Sequence, residues 1–358
     1  MPNLISFGKA LCLLITAIAA VFAISQMDYP ITTSAVTSNP ELHQSIGLAL
    51  KITKVQFSPD SKSLAVLAGE RFLSIWPIAG GKPTASVLFG SKPPMPISCI
   101  EWDPTGNQLY LGTSKSQIIS CNPATLDIQL RIYSDIEIIQ QIQSVSGSES
   151  LLSLGNIVNP NIKFPETLPQ LWHNSTHSRP KNIPDLHYIS MSKQGETGII
   201  ALGAFTGEII VFNPMVNTVE GKVVAKINSP MDALVWSGNT LNATSKGAVH
   251  LIDYARQIDP SKSQSIKTMQ ISDKPIRHIG ISKDEKTLFL SDGSDVVQVR
   301  DKNSGDLIYK LASLNELVSS IVASPDGKTL AVGTTQGHVT LWDAHDFQIK
   351  SIIPAGIK

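Results

Sequence analysis

"VSSIVASPDGKTLAVGTTQGHVTLWDAHD", Val318 to Asp346, has a punctuated order: an apolar run, the turn Ser324-Pro325-Asp326-Gly327, and a second apolar run. A turn around Gly337 and a third run ending on Trp342-Asp343 complete it. Pro fixes φ at the start of a turn, and Gly supplies the left-handed conformation that closes one. The stretch therefore predicts three short antiparallel strands. The question is whether it stands alone or is one copy of a unit.

It is one copy of seven. "ITKVQFSPDSKSLAVLAGERFLSIWP" from Ile52, "ISCIEWDPTGNQLYLGTSKSQIISCN" from Ile97 and "IRHIGISKDEKTLFLSDGSDVVQVRD" from Ile276 repeat the same order. Weaker copies start at Leu186 and Met231, and the weakest at Ile139. One apolar residue in the first strand anchors each copy: Val55, Ile100, Ile142, Ile189, Leu234, Ile279 and Ile321, spaced 42 to 47 residues apart. A further strand fits after each unit, as in "KPTASVLFG" and "GDLIYKLAS". Runs such as "SLAVLAG" are apolar at nearly every position, which suits a sheet buried on both faces rather than on one. Four-stranded sheets stacked radially satisfy that demand. The expected fold is all-β, a seven-bladed β-propeller of four-stranded antiparallel blades over residues 45–354.

"SPDGKTLAVG" and "GHVTLWD" in the last copy, "FSPDSKSLAV" in the first and "WDPTGNQLYLG" in the second carry a resemblance to the WD-repeat (WD40) family of β-propellers. The slot of the Trp-Asp pair holds Trp76, Cys121, Trp172, Phe212, Ile252 and Arg300 in the other copies. Gln336 stands where the family's hydrogen-bond network uses an Asp, so packing alone is expected to hold most blades. Two segments compete for the outer place in blade seven, "ELHQSIG" (41–47) and "FQIKSII" (347–353). The second alternates better and follows a short turn, so it is the expected occupant.

The first residues differ from this body. "MPNLISFGKALCLLITAIAAVFAISQ" carries one cation, Lys9, before a charge-free run from Ala10 to Met27. Residues 1–25 read as a signal peptide or a membrane anchor, the two being open, and 26–44 as a flexible tether. The expected location is outside the cytoplasm: periplasmic, secreted or membrane-anchored. The membrane is expected to be engaged only through this N-terminal segment.

Chemistry is sparse. Lys plus Arg equals Asp plus Glu at 29 each, so no net field draws nucleic acid. No phosphate-binding Gly loop, nucleophile elbow or paired-cysteine zinc pattern occurs. His173 and His177 have a helical metal spacing, but the intervening "NST" favours a turn. Cys99 and Cys121 fall in the first and third strands of one copy, too far apart for a disulfide, and should be buried free thiols. No cofactor, metal or catalytic group is expected. The loops entering the first strands should ring one mouth of the channel, contributing Lys51, Met95, Asp185, His187, Met231, Lys274, Arg277 and Glu316. Their mixture of charges, with two methionines as anchors, suits a protein or peptide partner. The resemblance implies the same: a non-catalytic interaction scaffold with a monomeric body. The alternative is a propeller enzyme or ligand carrier, lactonase-like or metal-dependent, built on acids and His at that mouth.

Overall fold

The computed structural model describes residues 50–90, 94–145, 150–157, 166–173, 176–178, 183–184, 186–195, 197–214, 221–255 and 266–355. The leader at 1–25, the tether at 26–44 and the rival segment 41–47 lie outside them, as do residues 158–165, 174–175 and 179–182 of the Pro-rich insertion at 156–184; the rest of that stretch is no simple insertion, since Glu166–His173 and Thr176–Ser178 are strands three and four of blade three. Among the described residues no helix is long and apolar enough to cross a membrane.

Seven antiparallel sheets of four strands follow one another, each with its strands in chain order. Blade one runs Ile52 to Leu88, two Ile97 to Tyr133, three Ile138 to Ser178 and four Tyr188 to Lys226. Blade five runs Ala233 to Gln270, six His278 to Ala312 and seven Val318 to Pro354. The first strand of each blade lies against the first strands of its neighbours, and that of blade seven, Val318–Ala323, against that of blade one, Ile52–Phe57. This closes the ring. The last strand, Ile349–Pro354, pairs with His338–Asp343 and completes blade seven, as its alternation foretold. Each blade is therefore one contiguous piece of chain.

The core is not central. It is divided into seven apolar clusters, one between each pair of adjacent blades. In the second strand of blade one, Leu64, Val66 and Ala68 enter the cluster shared with blade seven. The alternate residues Ala65 and Leu67 enter the one shared with blade two. Two buried faces are why "SLAVLA" has no polar side.

The recurrent turns are held by their own polar side chains. Ser58, Ser282 and Ser324 each donate from Oγ to the Asp two residues on, at 2.6 Å. Those aspartates accept the backbone N–H of Lys62, Lys286 and Lys328. Asp60 is held below the usual carboxylate range by the Ser58 hydroxyl and the Lys62 N–H. These acids shape turns and are not free for chemistry.

In blade four the anchor position falls on Met191, which pairs with Leu202 as Ile321 pairs with Val332. Ile189 sits in a bulge between Tyr188 and Ser190. The Trp-Asp slot is also more polar than packing alone requires. The indole N–H of Trp76 donates to Ser74 Oγ at 2.8 Å and that of Trp342 to Thr340 Oγ1 at 2.9 Å. Arg300 Nε donates to Gln298 Oε1 in the same two-residue relation. Trp172 occupies the slot of blade three and donates across the sheet to Ser153 Oγ.

Gly247 ends the turn between the second and third strands of blade five at φ +78°, and a Cβ there would lie 2.0 Å from the carbonyl oxygen of Ser272. Gly80 also has positive φ, +97°, but open space around it. Gly247→Ala is expected to cost about 1–3 kcal/mol in urea unfolding, more than Gly80→Ala, which adds only backbone strain. Equal costs would show that the turn yields freely.

Candidate functional site

All seven first strands run the same way around the ring, so the connections that enter them gather at one mouth of the channel. Of the eight residues expected there, Lys51, Lys274 and Arg277 are exposed. His187 is exposed, 6.0 Å edge-on from Phe205 between ring centres, and its Nδ1 is 3.4 Å from the Thr167 hydroxyl. Asp185 lies outside the described residues.

The two methionines are not rim anchors. Met95 is buried in the core between blades one and two, and Met231 in the core between blades four and five. Met231 fills the space over Gly203, where a Cβ would sit 2.3 Å from its sulfur. Glu316 is only 7 % exposed and is spent on structure. It accepts the Thr334 hydroxyl and lies 2.8 Å from His338 Nδ1, tying the entry loop of blade seven to its second and third strands. Gln336 stands where the resemblance led to the expectation of an Asp, and the bonded trio Glu316, Thr334 and His338 brackets that turn.

Below the mouth, one position before each anchor carries Lys54, Cys99, Gln141, Ser190, Ala233, His278 and Ser320. Three of them serve the next blade. Ser320 Oγ accepts the Val55 N–H at 3.3 Å, Gln141 Oε1 the Met191 N–H at 2.6 Å and Ser190 Oγ the Leu234 N–H at 3.1 Å. A first strand has no partner on its channel side, so its free N–H groups need such acceptors. Lys54 cannot accept and is exposed, and its charge is felt by Cys99 in blade two and His278 in blade six. Burial, with Lys54, Arg277 and Lys51 nearby, pushes His278 down to about 4, so it is neutral at neutral pH.

Toward the opposite mouth lies a second polar group. Gln56 Nε2 donates to Glu101 Oε2 at 2.6 Å, and Ser144 also hydrogen-bonds Glu101. Lys193 Nζ donates to Ser144 Oγ at 3.3 Å. Blades one to four are joined by this chain. Burial pushes Glu101 up to about 7, against the opposing pull of Gln56 and Lys193. Sequence reading overlooked it because Gln56, Glu101, Ser144 and Lys193 come from four different copies.

Among the described residues no three His, Cys, Asp or Glu side chains gather as a metal site. Cys99 and Cys121 are free and buried, and burial raises both thiols to about 12. Neither should react with a maleimide at pH 8 until denaturant is added. Labelling of either in the native protein, followed by peptide mapping, would contradict this.

Residues 305–343 match the WD40 family, described as WD domain, G-beta repeat. The β-propeller domain of Cps50 (Swd1) from Myceliophteria thermophila superposes with a TM-score of 0.66 at 12% identity, covering 82% of this chain and 97% of that one. The computationally designed Ika8 protein superposes with a TM-score of 0.62 at 13% identity, covering 87% and 89%. At such identities the likeness is one of fold. No curated protein sequence matches the chain.

Proposed function

Starting from a seven-bladed propeller in which residues 305–343 match a WD40 repeat, we propose that the protein is a non-catalytic scaffold that presents its channel mouth to a protein or peptide partner. One observation carries this reading. Lys51, Lys274 and Arg277 stand exposed on loops fixed by a rigid ring, whereas the acids of the repeated turns are engaged in holding those turns. Exposed polar groups on a stiff frame suit recognition, since little order is lost on binding. Fold alone assigns no function; these side chains do the recognising. The leader supports a body held or released outside the cytoplasm, with residues 26–44 as its tether.

A photo-crosslinking residue placed at Lys274, in cells that make the native protein, tests the reading. The same residue at Tyr133, exposed on the outer strand of blade two, is the control. A partner captured from Lys274 and not from Tyr133 is expected. Identical capture from both positions, or none from Lys274, would sink the proposal. N-terminal sequencing of the same protein distinguishes a cleaved leader, starting near Gln26, from a retained anchor.

A further inference from the structure

We propose that Ser229, on the loop entering blade five, is an acyl-accepting serine. An activated carboxylic ester transfers its acyl group to the Ser229 hydroxyl, and a buried histidine takes the proton through a second serine. Ser229 Oγ donates to Ser245 Oγ at 2.7 Å, and Ser245 Oγ lies 2.7 Å from His250 Nε2. His250 Nδ1 lies 2.9 Å from Thr268 Oγ1. The ends of this row reach the surface, Ser229 half-buried and Thr268 exposed, with Ser245 and His250 buried between them. Burial assigns the protons. Ser245 already accepts from Ser229, so its own proton needs a buried acceptor, and His250 Nε2 is in reach. Nδ1 then carries the ring proton and donates to Thr268, whose own proton turns to water. Burial also holds His250 below its ordinary value, so the ring is neutral at neutral pH and Nε2 is a free base. The row draws the Ser229 proton toward an imidazole, as a nucleophile and its base require.

This histidine has no share in the usual bond of its position. Two residues before the Trp-Asp slot, Ser74, Gln298 and Thr340 accept the side-chain N–H of Trp76, Arg300 and Trp342. Blade five has Ile252 in the slot, which has no side-chain N–H to give, so His250 is released to serve Ser245. The loop also fixes Ser229. The Ile227 N–H donates to Gly207 O and the Asp232 N–H to Thr244 O, Met231 is buried between blades four and five, and Pro230 disfavours a helical turn at Ser229. In the transfer, Ser229 Oγ bonds to the acyl carbon and the ester C–O bond breaks, its electron pair leaving with the alkoxide. The Ser229 proton moves to Ser245 as the Ser245 proton moves to His250. The imidazolium releases a proton to water at its Thr268 side, and the alkoxide takes one up. Nothing is oxidised or reduced, and the acyl group stays on the protein, so the scaffold reading is untouched.

Treatment of the full chain with p-nitrophenyl acetate, followed by peptide mapping, tests this. Acetylation of Ser229 is expected roughly a hundredfold faster than that of Ser304, an exposed serine in a turn of blade six, and slower in heavy water than in water. Ser245→Ala and His250→Gln should each bring Ser229 down to the Ser304 rate and abolish the isotope effect. Cys99 and Cys121 that stay closed to maleimide show that the ring of each variant is intact. Equal rates at Ser229 and Ser304 in the parent overturn the proposal, as does a Ser229 rate unchanged in His250→Gln. Acetyl groups found only on lysines or on His187 do the same. Should a variant lose its fold, the parent decides: a Ser229 rate identical in heavy water means that no proton moves along the row. Capture of a partner at Lys274 without acetylation of Ser229 leaves the scaffold reading standing and removes the acyl-accepting serine alone.

Discussion

Ile52→Ala is expected to cost about 2–5 kcal/mol of unfolding free energy, although Ile52 lies at the start of the first described strand. The residue is fully buried in the core between blades one and seven, with Leu64, Val66, Ala331 and Leu341. There is no covalent link between the first and last blades. Closure depends on this core and on a few bonds such as Ser319 Oγ to Ile52 O and Asp326 N to Ser61 Oγ at 2.9 Å. Ile52 enters a hollow left by Gly333: a Cβ there would lie 2.6 Å from Ile52 Cγ2. Gly333→Ala should therefore cost about 1–3 kcal/mol by overpacking. The double variant supplies the sharper measurement. The methyl added by Gly333→Ala can occupy space that Ile52→Ala vacates, so the two costs should fall short of adding by at least about 0.5 kcal/mol. Strict additivity in guanidinium unfolding would mean that the two side chains do not meet.

The same pairing explains one feature of the repeat. The Gly of "YLGT", "ALGA" and "AVGT" in blades two, four and seven has ordinary strand geometry, yet each receives a residue of the next blade. Gly112 faces Ile139, Gly203 faces Met231 and Gly333 faces Ile52. The architecture was legible because every blade must solve this same problem with the same residue classes, and a shared solution shows as a period. Side-chain partnerships were less legible. Met95 follows Pro94 and Met231 follows Pro230 in the entry loops, so they read as rim anchors, whereas the neighbouring blade's glycine or core draws them inward. Glu316 reads as a solvated acid because Thr334 and His338 lie 18 and 22 residues away on different strands. Met191 and Ile189 are both apolar and two apart, so the period alone could not choose between them. Contacts between copies leave no spacing signal, and both polar groups of the channel are of that kind.

The second large effect belongs to one of them. Glu101→Gln is expected to stabilise the protein by about 2 kcal/mol at pH 8 and by little at pH 5. The carboxyl has an ordinary value of 4.5 and is raised to about 7 in the fold, chiefly by burial. The folded state thus holds this proton more tightly than the unfolded chain. Its contribution is fully favourable below pH 4.5, declines as pH rises from 4.5 to 7, and is lost above 7. The whole difference corresponds to about 3 kcal/mol. The amide introduced by Glu101→Gln removes the buried charge and can still accept from Gln56, whereas Glu101→Ala would leave Gln56 without that partner. His278 acts in the opposite direction. Its value falls from 6.5 to about 4, so its contribution is present above 6.5 and is lost as pH falls toward 4. Between pH 4.5 and 6.5 the two slopes oppose each other, and the parent profile should be nearly flat there. Removing the Glu101 charge should expose the acid sensitivity that His278 confers. Stability of Glu101→Gln should then fall by about 2 kcal/mol from pH 6.5 to pH 4.5, and Glu101→Gln with His278→Gln should restore the flat profile. A parent and a Glu101→Gln variant with parallel profiles across pH 4.5–8 would show that Glu101 is not held protonated by the channel.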